Sequence, residues 1–280
     1  MGVLRSFYYA LSPSLRFLAR RIYYAPIDLY EGVTRKRGSM IPPRGMIFIG
    51  SGDFEQQGLH LLDLLKKYTG LKPESRVLDV GCGIGRLAIP LTAYLNGQGS
   101  YDGFDIVKKG IDWCRAKISS RYANFRFKHI DLKNDLYNLK TADEAKDFVF
   151  PYEADMFDCI VLTSVFTHMM PSDVDNYLGQ IARVMKRDGK CLATFFLLNA
   201  EIKRKIALNE TRFDFKHAFE GYSLMDKKVK EANIAFEEQY LEMLLNKHGL
   251  EVEMCSYGAW SNNPEALDFQ DVLVLTKKQL

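Results

Sequence analysis

The sequence predicts an α/β fold built on a doubly wound, mostly parallel sheet, and three observations predict it. Arg76–Val80 is a short, largely apolar run of strand type, followed by glycines at 81, 83 and 85 and then by a helical pattern over Arg86–Leu95. Ser100–Ile106 repeats the strand pattern, ends on the carboxylate of Asp105 and is followed by helical Lys108–Ser119. The alternation continues with strands at Asn124–Asp131 and Phe157–Ser164, and strands alternating with helices build βαβ units.

Composition sets the outer limits. A chain of 280 residues, 47% hydrophobic and 26% charged, buries a full core and suits one α/β domain with additions. No run reaches the ~18 apolar residues needed to span a bilayer. Net charge is +3, but residues 1–44 hold eight basic side chains against Asp28 and Glu31, which leaves the remainder mildly acidic. Without a basic face by count, the body is not expected to bind nucleic acid. The five cysteines (82, 114, 159, 191, 255) form no C-x-x-C pair and no zinc spacing, so no metal is expected and reduced thiols in the cytoplasm are the default. Arg5 and Ser12-Pro13 break the early apolar residues, against a secretory signal, and Met1–Ser6 fits the short N-myristoylation pattern.

The N-terminal stretch 1–44 reads as a basic, amphipathic helical extension. Leu4, Phe7, Leu11, Leu15, Leu18 and Ile22 recur at helical spacing, and Ser12-Pro13 suggests two short helices rather than one. Two readings stand: a helical cap docked on the main domain, or a surface helix making peripheral contact with a membrane through residues 1–25, at its inner face. Arg35–Gly52 is a turn-rich connector with a strand-like piece from Met46. Its glycines turn the chain into a helix over Phe54–Tyr68, with Asp53 as a pocket candidate.

At the glycine turn, backbone N–H groups converge on a ligand. A dinucleotide turn requires G-x-G-x-x-G, and the position of its third glycine holds Arg86. No Gly-Lys-Ser/Thr follows, which excludes a P-loop. Asp79 at the strand end suits a cation better than a phosphate. The ligand expected is an adenosine compound carrying positive charge, with Asp105 about 20 residues beyond the glycines, where an acid can accept from both ribose hydroxyls.

Asp79-Val80-Gly81-Cys82-Gly83-Ile84-Gly85 resembles the first motif of class I, Rossmann-like S-adenosylmethionine-dependent methyltransferases. Ser164-Val165-Phe166-Thr167-His168, with the following helix and turn, resembles a large bacterial group within that class, and the likeness extends over most of residues 45–280. The resemblance implies a seven-stranded sheet whose last strand is antiparallel and S-adenosyl-L-methionine as cofactor. It implies that Gly81, Cys82, Gly83 and Gly85 wrap the methionine part, with Asp79 near its amino group. Asp105 would take the ribose, Ile106, Asp131 and Leu132 the adenine, and Thr163 and Ser164 the methyl-transfer end.

In the rest of the chain, Ser172-x-x-Asp175 reads as a helix cap, Asp188-Gly189 as a turn into a fifth strand over Lys190–Leu198, and Phe236–His248 as a helix. Residues 199–236 interrupt the pattern and are expected to cap the substrate. His217, Phe219, Tyr222, Tyr257 and Trp260 are candidates to line that cap or, more plainly, to pack as a hydrophobic lid.

The chemistry follows from the cofactor, whose sulfonium already activates the methyl group. The protein needs to align a nucleophile and, for a hydroxyl, remove its proton. His168 is the first candidate for that base and His217 the second, and a purely orienting role for His168 stands beside the catalytic one. The motifs of exocyclic-amine, arginine and magnesium-dependent catechol methylation are missing. A small-molecule, sugar or glycan hydroxyl is the leading acceptor and a lipid the second. A cofactor-binding regulatory protein without turnover is the non-enzymatic alternative. Oligomeric state is not legible.

Overall fold

The computed structural model describes residues 13–48, 52–134, 141–227, 229 and 232–279. The readings of Leu4–Leu11, the Ser12 cap, the Met1–Ser6 pattern and Gly50-Ser51 lie outside them.

Seven strands form one sheet in the order β10-β11-β5-β4-β1-β2-β3. They are β1 (Arg76–Val80), β2 (Ser100–Asp105), β3 (Phe125–His129), β4 (Phe157–Leu162), β5 (Met185–Phe195), β10 (Leu250–Ser256) and β11 (Asp271–Lys277). The pairs among β1 to β5 are parallel, while β11 runs antiparallel to both β5 and β10. The last strand is thus antiparallel, as expected. Helices cover both faces, which is why β1 is buried along both of its sides. One face packs Leu78, Ile160 and Leu162 against α5 (Pro171–Val184) and α7 (Glu238–Lys247). The other packs Val77, Tyr101 and Val161 against α2 (Phe54–Tyr68), α3 (Ala88–Tyr94) and α4 (Lys108–Cys114). Strand order reverses between β4, β1 and β2, the point in such sheets where the crevice at the carboxyl ends opens.

Several element readings change. The strand-like piece after Met46 is instead a single 3-10 turn, Arg44–Met46, followed by extended residues. Helix α5 begins at Pro171, and its cap is Asp173, which accepts from the Met170 N–H at 3.2 Å. Asp175 instead pairs with Lys247 and His248 at the end of α7, at 2.6 and 2.7 Å. Strand β5 starts directly after α5 and runs through Asp188-Gly189 as an irregularity in its pairing with β4, not as a turn.

The largest departure is in residues 199–236. A second, four-stranded sheet stands there, in the order β6-β9-β8-β7, with β6 (Leu197–Leu198), β7 (His217–Ala218), β8 (Tyr222–Leu224) and β9 (Ile234–Glu237). Phe236 belongs to β9 and the helix starts two residues later. These strands are two to four residues long, too short for any alternation to register. Helix α6 (Ala200–Ala207) lies between β6 and β7, its first turn capped by the Asn199 side chain. This sheet and α6 share a core of Phe196, Leu198, Ile202, Phe215, Ala235 and Trp260.

At the other end, α1 (Pro13–Val33) is one helix of 21 residues running through Pro26, longer than the expected second segment. Among the described residues no helix is long and apolar enough to cross a membrane.

Candidate active site

A cavity of about 680 Å3 opens at the carboxyl ends of β1, β2, β4 and β5. Its floor comes from the strand ends: Val80 and Gly81, Phe104 to Val107, Thr163 to Val165, and Thr194.

The glycine turn owes its path to backbone freedom. Gly81, Gly83 and Gly85 all have positive φ, at 77°, 59° and 87°, a region L side chains rarely adopt. The turn folds back on the protein before meeting any ligand. Gly81 and Cys82 N–H donate to the Phe104 carbonyl at 2.9 and 3.1 Å, and Gly83 N–H donates to Asp105 Oδ2 at 2.8 Å. The other carboxylate oxygen of Asp105 accepts from Val107 N–H at 2.7 Å. Each carboxylate oxygen has a second lone pair, so acceptor capacity remains. Burial pushes the Asp105 carboxyl up to about 6, against the pull of the backbone donors at Val107 and Gly83.

Asp79 is buried on the α2/α3 side of the sheet, accepts from the Tyr101 hydroxyl at 2.6 Å and does not line the cavity. Burial pushes it up to about 7, with the Tyr101 hydrogen bond opposing. Cys82 is buried, and burial raises its thiol well above the usual range, which makes it packing rather than a nucleophile. Of the expected cofactor residues, Gly81, Asp105, Ile106, Leu132, Thr163 and Ser164 line the cavity. Asp131 is exposed, and the wall near it is made by Leu132, Lys133 and Asn134.

His168 lines the cavity from the 3-10 turn Phe166–His168 that follows β4. That turn is set by Ser164, whose φ of 57° is unusual for a residue with a side chain and marks stored backbone strain. A polar network holds it. Ser164 N–H donates to Thr194 Oγ1 at 2.8 Å, and both the Ser164 and Thr194 hydroxyls donate to Gln270 Oε1, at 3.0 and 2.6 Å. His217, by contrast, stands on the edge strand β7 and does not line the cavity. Trp260 is fully buried beneath the second sheet, its indole N–H donating to Asp271 at 2.8 Å.

Apart from Asp53, expected as a pocket candidate, a group of wall residues gave no motif in the sequence. Asp53, Gln56, Gln57 and His60 come from the start of α2, and Asp53 also caps that helix by accepting from Gln56 N–H at 2.8 Å. Arg86 donates to Gln57 Oε1 at 2.8 Å, and His60 pairs with Asp268 at 3.3 Å. Burial lowers the Arg86 guanidinium from its usual value, while Asp79 and Asp268 counteract that. The i, i+3, i+4, i+7 spacing of Asp53, Gln56, Gln57 and His60 places them on one helix face, a polar stripe that was readable in principle.

The sequence profile of a methyltransferase domain matches residues 71–249, which takes in the glycine turn, every floor strand and His168. The chain belongs to the methyltransferase-domain family. Curated relatives include YcgJ, an uncharacterized methyltransferase of Bacillus subtilis, 28% identical over 131 residues, 47% of this chain and 44% of that one. The sterol 24-C-methyltransferase erg6 of Schizosaccharomyces pombe is 30% identical over 123 residues, 43% of this chain and 27% of that one. The chain therefore spans less than half the length of either curated relative.

Solved structures share the fold. The PH0226 protein of Pyrococcus horikoshii aligns with a TM-score of 0.56 at 18% identity, over 84% of this chain and 95% of that one. The 1,6-didemethyltoxoflavin-N1-methyltransferase of Burkholderia thailandensis, solved with S-adenosylhomocysteine, aligns at 0.51 and 14% identity, over 96% and 92%.

Proposed function

We propose that the methyltransferase acts on a hydroxyl oxygen of a small-molecule, sugar or glycan acceptor, with His168 as general base. The observation that carries this reading is the company His168 keeps in the cavity. The cavity it lines also carries hydrogen-bonding groups suited to a hydroxyl-rich ligand: Ser164, Thr194 and Gln270 on the floor and Gln56 on the wall.

The cavity fits the cofactor. Asp105 offers two carboxylate oxygens to vicinal ribose hydroxyls, and Ile106 and Leu132 offer apolar surface to adenine. For the amino-acid tail the reading moves from Asp79 to Arg86 and its neighbours. Arg86 supplies a cation for the carboxylate, and Asp53 and Asp268 supply anions for the ammonium. Bound there, the cofactor supplies a methyl group that its sulfonium charge has already activated. The residues of the chain align the acceptor, and the His168 imidazole would take the proton of its hydroxyl. Residues 199–236 act as the cap, closing one wall through Phe213 and Asn233. We further assign the chain to the bacterial group marked by Ser164–His168, and 45–280 to one catalytic domain.

A lipid acceptor is the second reading. It is favoured by an exposed apolar face on α1, whose Phe17 packs edge-on against the cavity residue Phe48 with ring centres 5.5 Å apart. Transfer of labelled methyl from S-adenosylmethionine to panels of sugars, phenols, amines and phospholipids tests both. Product with hydroxyl compounds that is lost in His168→Ala supports the first reading, and label confined to amines or thiols overturns it.

A further inference from the structure

Helix α1 is amphipathic in an inverted sense: its polar face docks on the protein and its apolar face does not. Asp28 accepts from Arg44 N–H at 2.6 Å and Gly45 N–H at 3.0 Å, and it pairs with Arg37 at 3.3 Å. Glu31 pairs with Arg44 at 2.7 Å and with Arg37 at 3.5 Å. The contact is close. A Cβ on Gly45 would stand 2.9 Å from the Arg21 Cα. On the same side, Phe17 meets Phe48 and the Lys109 ammonium.

The opposite side carries Leu15, Leu18, Ile22, Leu29 and Val33, which are 51% to 75% exposed. At 100° per residue these five fall within an arc of about 60°, and the stripe runs about 27 Å along the helix. Tyr23 and Tyr30 flank it and are exposed as well. Both acids of α1 are paired with Arg37 and Arg44, so the charge the helix has left is positive. Arg21, at the edge of the docked face, and Arg35 and Lys36 at the helix end are exposed and Arg16 is partly so, while Arg20 projects to the docked side, where its Nε donates to the Arg44 carbonyl at 3.4 Å.

We infer that α1 lies in the surface of an anionic lipid bilayer, with the leucine stripe in the acyl boundary, the tyrosines at headgroup level and the arginines against lipid phosphates. Apolar stripe, flanking tyrosines and net positive charge are together what an interfacial helix needs, and charge complementarity selects an anionic surface. A second copy of the chain would gain from the stripe but not from the arginines around it. The inference stands whichever acceptor is methylated. Through Phe17 and Phe48, the cavity lies one ring contact from the docked side of α1.

The test is sedimentation of the full chain with vesicles of phosphatidylcholine alone or with about one third phosphatidylglycerol. Expected are binding at least tenfold tighter to the anionic vesicles, loss of that binding in Leu18→Glu/Ile22→Glu/Leu29→Glu, and a lower anionic preference in Arg16→Gln/Arg21→Gln. Affinity for S-adenosylhomocysteine, unchanged in both variants, shows that they are folded. Equal sedimentation of wild type and the glutamate variant overturns the inference. So does a dimer seen by light scattering that the same variant dissolves while wild type ignores vesicles.

Discussion

Asp105 shows how one residue serves two structures. Its carboxylate holds the glycine turn through Gly83 and the start of α4 through Val107, and it faces the cavity as well. Because burial raises it to about 6, the acceptor form fills only as pH rises through that value. Affinity for S-adenosylhomocysteine is therefore expected to fall as pH drops from 7 to 5, and the fall is expected to shrink in Asp105→Asn, as read by titration calorimetry at each pH. His168→Ala is expected to lower kcat by about 100-fold or more while leaving cofactor affinity near wild type, if the imidazole takes the acceptor proton. An unchanged kcat in steady-state assays with the identified acceptor returns His168 to an orienting role. Asp105 was legible as a strand-end acid at the right distance from the glycines. The burial of Asp79 under Tyr101 was not, because nothing in a linear sequence says which face of β1 that side chain takes relative to its neighbour on β2.

At the scale of the element, the glycine turn is constrained by what stands behind it. An added Cβ on Gly85 would lie 2.9 Å from Ile118 Cδ1 and 3.0 Å from Cys114 Sγ, at a φ of 87°. Gly85→Ala is thus expected to destabilise the protein by roughly 1–3 kcal/mol, measured as a lower midpoint in urea at unchanged slope. The turn was readable because its glycines are spaced for one backbone path. The second sheet was not readable, since its short strands are held by tertiary packing rather than by local pattern, Leu198 and Ala235 on Phe196, Phe215 and Trp260, and Leu224, Ile234 and Phe236 on the main core. Arg86 and Gln57 illustrate the same limit: two polar residues 29 apart, joined by a hydrogen bond that only the packing of α2 beside the glycine turn creates.

Across the whole molecule, the two sheets are tied together at Asp271. Its buried carboxylate accepts from Leu197 N–H and Gly258 N–H, each at 2.6 Å, and from Trp260 Nε1 at 2.8 Å. This cluster joins β11 to the start of the second sheet, directly beside Gln270 on the cavity floor. Trp260→Ala is expected to cost about 3–5 kcal/mol, the usual range for a large buried aromatic, with additional loss from the one hydrogen bond that Asp271 forfeits while its bonds from Leu197 and Gly258 N–H remain. Chemical denaturation measures it, and a loss below 1 kcal/mol would mean that the second sheet folds independently of this anchor. The seven-stranded sheet and its antiparallel last strand were legible from the alternation of elements together with the family likeness, because each strand there is long enough to show its own pattern.

The proposed cofactor site is the cavity at the ends of β1, β2 and β4, with Asp105 on its floor. The most direct measurement is calorimetric titration of ligand-free wild type and Asp105→Ala with S-adenosylhomocysteine, alongside thermal unfolding to confirm that both are folded. The result expected is one site per chain in wild type and an affinity at least tenfold weaker in the variant, the loss of about 1.5–3 kcal/mol that hydrogen bonds to a charged group contribute. Equal affinity in the two folded proteins would contradict the assignment.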